Sequence, residues 1–79
     1  MNPRARQITI KEPYSLIVAF ENNEMKEIDL SPYLKYPIYE KLKDKDYFLK
    51  AKIQNGIVVW DSETDFDPDR LYLESKNHS

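Results

Sequence analysis

Cysteine is absent from the 79 residues, which removes disulfides, thiolate metal sites and cysteine nucleophiles at once. Histidine occurs once, as His78 in a polar tail, where a general base would have no fixed position. Ser15, Ser31 and Ser62 therefore lack an activating partner for nucleophilic catalysis. The only glycine is Gly56, so phosphate-cradling loops and dinucleotide fingerprints, which need several, are excluded. No apolar run approaches the roughly 20 residues of a membrane span. The basic start Met-Asn-Pro-Arg-Ala-Arg is not followed by the apolar stretch of a signal peptide. These absences predict a cytoplasmic protein that is not an enzyme, holds no cofactor or metal and does not engage a membrane.

What is present is a small charged chain with many aromatics: three Phe, six Tyr and one Trp, and a formal net charge of −2. That length gives one domain, read as 1–79 with an ordered core at about 6–74 and mobile ends at 1–5 and 75–79. With no staple available, aromatic and aliphatic burial must supply the stability. The charge is uneven. Residues 35–52 carry Lys35, Lys41, Lys43, Lys45, Lys50 and Lys52 against three acids, and residues 57–69 carry five acids and no base.

Along the chain, Ile8 and Ile10 alternate with polar residues, as in a half-buried strand. Leu16 to Phe20 is continuously apolar, as in a strand buried on both faces. Glu21-Asn22-Asn23-Glu24 reads as a turn, and Met25 to Leu30 as the returning strand with Ile28 and Leu30 inward. Ser31-Pro32 is a helix-start pair, its hydroxyl a cap and its ring the first helical residue. Ile38 and Leu42, at i and i+4, predict one inward stripe on a two-turn helix. Tyr47, Leu49, Ala51 and Ile53 alternate with Phe48, Lys50, Lys52 and Gln54 and predict a strand with one solvated face. Asn55-Gly56 is a hairpin turn, with Ile57 to Trp60 as its second strand. Asp67-Pro68-Asp69 predicts a closing helix with Leu71 inward. The order is β-β-β-α-β-β-α, an α+β domain with a mostly antiparallel sheet.

Two constellations remain as sites. Asp61, Glu63, Asp65, Asp67 and Asp69 stand at every second position, as acids do in calcium loops. Counted from Asp61, however, the required glycine and bidentate acid fall on Phe66 and Tyr72. The acids are therefore read as a turn and a helix cap, with Asp61, Glu63 and Asp65 forming an acidic rim. Tyr33, Tyr36 and Tyr39 recur every three residues beside Lys35, Lys41 and Lys43. They read as an edge to the core, a protein-contact surface, or a stacking platform for single-stranded nucleic acid.

Asp29-Leu30-Ser31-Pro32, the Leu42…Asp44…Phe48 spacing, Val59-Trp60, and Asp65-x-x-Pro68-x-x-Leu71-Tyr72 together resemble the small bacterial domain-of-unknown-function family 2442. The resemblance runs from about Ile8 to Tyr72. It implies three strands, a helix, two strands and a helix, and no catalytic residues to carry over. Some members precede a helix-turn-helix domain, which is not expected here after Ser79, and others are encoded beside small uncharacterised proteins. Asp61-Ser62-Glu63 replaces the family's common Pro-Asn-Gly, so that turn takes another shape, and the family's frequent glycine near Tyr36-Pro37 is missing.

The expected function is an accessory or regulatory protein-binding module of a toxin–antitoxin-like operon. Its partner is a co-encoded protein touching Tyr33, Tyr36, Tyr39, Asp61, Glu63 and Asp65. The alternative is a nucleic-acid-associated regulator using the basic 35–52 segment. Homo-oligomerisation through an exposed sheet edge is a further option for so short a chain.

Overall fold

The structure is a computed structural model that describes residues 2–77. Strands β1 (Ala5–Lys11), β2 (Ser15–Phe20), β3 (Met25–Asp29) and the two-residue β6 (Lys76–Asn77) form one antiparallel sheet in the order β1-β2-β3-β6. A separate hairpin joins β4 (Lys52–Gln54) to β5 (Ile57–Val59). The short helices are α1 (Lys45–Phe48) and α2 (Pro68–Glu74). The chain is thus α+β and mostly antiparallel, and strand pairing runs from Ala5 to Asn77, past the 6–74 bounds read from the sequence. Met1, His78 and Ser79, read as parts of the mobile ends, lie outside the described residues.

Cross-strand register sets the buried face. Leu16 pairs with Ile10 and Ile28, and Val18 with Ile8 and Lys26, so these side chains share one side of the sheet. Leu16, Val18, Phe20 and Leu30 are fully buried there, with Ile28 nearly so. The other layer supplies Leu42, Phe48, Val58, Trp60, Phe66 and Leu71 to the same cluster. Phe48 and Trp60 centre the contact, their rings 6.1 Å apart, with Trp60 Nε1 donating to the Phe48 carbonyl at 3.2 Å. Tyr72 of α2 meets Phe20 edge-on at 5.1 Å. Helix packing and hairpin thus converge on one face, in a body of 31 × 26 × 19 Å.

The turns follow local chemistry. Asn55 and Gly56 take φ of 54° and 79°, the left-handed pair of a tight hairpin turn. The N-terminal chain closes over that turn: Arg4 donates to the Asn55 carbonyl at 3.0 Å and the Ala5 N–H to Gly56 at 3.4 Å. Asn23, at φ 71°, turns β2 into β3. Asp67 caps α2, its Oδ1 accepting from the Asp69 N–H at 3.2 Å, and Pro68 opens the helix.

Four expectations are corrected. The helix foreseen around Ile38 is a 3₁₀ segment, Pro37–Lys43. Three residues per turn align Tyr39 with Leu42 rather than Ile38 with Leu42, so Ile38 is 59% exposed. The Ser31 hydroxyl is not a cap; Asp29 Oδ1 accepts the Ser31 N–H at 2.9 Å and leads into a single 3₁₀ turn, Ser31–Tyr33. The strand foreseen from Tyr47 to Ile53 is helix α1 followed by the short β4. Finally, β6 adds a strand absent from the β-β-β-α-β-β-α order.

Candidate functional site

The tyrosines form one group built on Phe66. Its ring is fully buried, with Tyr33 edge-on at 5.2 Å and Tyr39 tilted at 5.6 Å. Tyr33 also meets Tyr39 at 6.3 Å and Tyr36 at 6.5 Å. The 3₁₀ turns keep residues three apart on the same side, so the spacing of the tyrosines becomes contact. Tyr33 and Tyr39 are half-buried, whereas Tyr36 is 45% exposed, with the Lys35 ammonium 5.4 Å above its ring. Tyr36 and Ile38 therefore flank Pro37 as an apolar prominence on a rigid aromatic base.

The acids sit on the neighbouring turn after β5. Asp61 Oδ1 accepts the N–H groups of Glu63 at 2.8 Å and Thr64 at 2.9 Å, and Oδ2 accepts the Tyr47 hydroxyl at 2.7 Å. The Tyr47 bond and then the two amides hold the Asp61 carboxyl below its ordinary pKa. The turn closes where the Trp60 N–H donates to the Thr64 carbonyl at 2.9 Å and Asp65 bridges to Val59. This is the shape that Asp61-Ser62-Glu63 gives the turn.

Asp61, Glu63 and Asp65 line one shallow cleft of about 490 Å³ with Lys52, Gln54, Val59 and Ser62. The tyrosines do not line it. Asp65 links the two patches, because its carboxylate adds to burial in raising the Tyr39 phenol pKa. The structure thus brings the six candidate residues together as two adjoining patches, joined through Asp65 and Phe66.

The lysines of 35–52 are all exposed, but they do not form a purely basic face. Lys41 is close enough to Asp61 to help depress its pKa, and Lys52 lines the acidic cleft. The sequence reading placed Ile38 and Leu49 inward, and so missed two exposed apolar side chains. The three-residue tyrosine period was the available signal for Ile38, since it fits 3₁₀ geometry better than α. Among the described residues no group of three or more acidic or histidine side chains could hold a metal ion, and no helix is long and apolar enough to cross a membrane.

Residues 5–77 match the family model described as a protein of unknown function, DUF2442. The chain belongs to this family. No curated protein and no solved structure matches it. Within this DUF2442 chain, Asp29 starts the first 3₁₀ turn, Phe48 and Trp60 meet in the core, and Pro68 and Leu71 open and anchor α2. The positions that carried the resemblance are thus largely structural.

Proposed function

We propose that this chain is an accessory protein-binding module of the bacterial cytoplasm, acting without catalysis on a co-encoded partner in a toxin–antitoxin-like operon. The observation that carries this reading is the Tyr36-Pro37-Ile38 prominence. Two large side chains stand 45% and 59% exposed on a segment fixed by the buried Phe66. Rigid aromatic anchors of this kind lose little conformational entropy on binding and are enriched at protein interfaces. The adjoining Asp61–Asp65 cleft supplies a charged rim.

The test is a pull-down from the native host with the wild-type chain and a Tyr36→Ala/Ile38→Asp variant. The wild type retains a small co-encoded protein in stoichiometric amount, and the variant loses it at unchanged melting temperature. No retained protein, or equal retention by both chains, overturns the proposal.

A second reading rests on the six exposed lysines between residues 35 and 52. A nucleic-acid regulator would bind an oligonucleotide at low salt and lose it steeply as salt rises. The interleaving of Lys41 and Lys52 with Asp61 and its neighbours favours a protein partner over a polyanion, and no binding at low salt removes this alternative.

A further inference from the structure

The strand order β1-β2-β3-β6 leaves β1 at the margin of the larger sheet, and among the described residues no strand pairs with its outer edge. The β4–β5 turn covers that edge at Ala5, whose N–H donates to the Gly56 carbonyl. Beyond it, Gln7 to Lys11 run in regular register with β2. Proteins guard such edges with charge, proline or a covering loop. Here the centre is Ile8-Thr9-Ile10, β-branched and uncharged, with Arg6 out of register at one end and Glu12 just past the other. Ile8 and Ile10 are half-buried on the inner row, and the exposed Leu49 shares a hollow with Ile10. Arg6 and Glu12 are exposed, and neither side chain has an ion pair or hydrogen bond among the described residues.

We infer that this edge pairs with β1 of a second copy, antiparallel about a two-fold axis that stands perpendicular to the sheet between the two Thr9 residues. Such an axis keeps the inner faces of both copies on one side and joins two sheets into one. Thr9 then faces Thr9, Ile8 faces Ile10 of the other copy, and Gln7 faces Lys11. Just beyond, Arg6 comes beside Glu12. The Lys11–Glu27 pair within each chain is left intact. An axis at Ile8 would set Arg6 against Ile10, and an axis at Ile10 would set Ile8 against Glu12. Each of these puts a charge against an isoleucine on the row that continues the core. Only the Thr9 register matches apolar with apolar and charge with opposite charge.

The paired edge is a strip about 17 Å long and about 10 Å thick, well short of the about 800 Å² per partner that stable complexes bury. The dimer is consequently weak and concentration-dependent. It uses neither Tyr36 nor Ile38, so its failure and that of the proposed partner surface are read separately.

Sedimentation equilibrium from low micromolar to millimolar concentration, at low salt, tests it. The average mass rises towards twice the monomer value. Thr9→Lys sets two ammonium groups opposite each other at the axis and holds the chain monomeric. Arg6→Glu and Glu12→Arg each weaken association on their own, and mixing the two variants restores it, because every contact between positions 6 and 12 then joins opposite charges. Within one chain these residues stand about 20 Å apart along an extended strand and do not meet. A structural role confined to one chain cannot produce this rescue. All three substituted side chains are exposed, and an unchanged melting temperature at low micromolar concentration checks that each variant keeps the fold. A monomer throughout, a mass that climbs past twice the monomer as in head-to-tail pairing, a dimer untouched by Thr9→Lys, or no gain on mixing overturns the inference.

Discussion

At the scale of single residues, four of the fourteen acids of this chain serve turn chemistry. With one glycine available, Asx side chains make the turns, each accepting the N–H two residues on: Asn22 from Glu24, Asp29 from Ser31, Asp44 from Asp46, Asp61 from Glu63 and Asp67 from Asp69. Two carboxylates gain phenol donors as well, Asp61 from Tyr47 and Glu24 from Tyr72. The Glu24 carboxyl, like that of Asp61, lies below its ordinary pKa, with the Tyr72 hydrogen bond the leading cause. For a group whose folded pKa is depressed, the stabilisation is present above the unfolded value and is lost as pH falls through the folded one. The phenols run the other way. Tyr72, bonded to Glu24, and Tyr47 and Tyr39, chiefly through burial, are raised in the fold. Their contribution is present below the ordinary phenol value and fades as pH rises through the folded one. Stability should therefore plateau between about pH 5 and about pH 9 and fall on both sides. Tyr47→Phe removes the donor to Asp61, so its melting temperature lies below that of the wild type on the plateau and converges with it as the pH drops below about 4. A gap between the two that is independent of pH would contradict this account.

At the scale of elements, the sequence was most legible where pattern and turn chemistry agreed. The three leading strands, the Asn55-Gly56 hairpin and the Asp67-Pro68 helix start all combine an apolar period with a residue suited to the turn or cap. Legibility failed between residues 37 and 51, where segments are short and one core residue decides the geometry. Tyr47, Leu49 and Ala51 mimic a strand, yet Asp44 caps α1 and the one fully committed side chain is Phe48, which the alternation assigned to solvent. Phe48 packs on Trp60 and edge-on against Tyr14 at 5.7 Å, while Leu49 is 57% exposed. The tyrosine patch was legible as a three-residue repeat, but its Phe66 base was not, because that contact spans chain segments far apart in sequence. β6 was not legible either, since two polar residues carry no strand period. Helix and strand make opposite predictions for a pair of substitutions. Phe48→Ala should cost about 3–5 kcal/mol, and Leu49→Ala should change stability by less than about 0.5 kcal/mol, both from urea denaturation. The reverse order would restore the strand.

At the scale of the whole molecule, the two sheets share a single core. Trp60 follows the β4–β5 hairpin directly, yet its ring and indole N–H bind to Phe48, and Phe48 meets Tyr14, in the turn between β1 and β2, edge-on. From the other side, the N-terminus of β1 holds the hairpin turn through Arg4 and Ala5. A Cβ at Gly56 would meet Arg4 side-chain atoms at 2.8 Å, so the close approach depends on the residue that also permits the turn. Neither the two-stranded hairpin nor the sheet can bury its apolar face without the other, since an isolated hairpin is marginal in water. Unfolding should consequently be all-or-none. Trp60 fluorescence reports the junction, and far-UV circular dichroism reports mainly the larger sheet. In urea the two should give one midpoint and one slope. A fluorescence transition that precedes the circular dichroism change would mean that the hairpin detaches first, and that the acidic cleft and the aromatic prominence beside it move as a unit separate from the sheet.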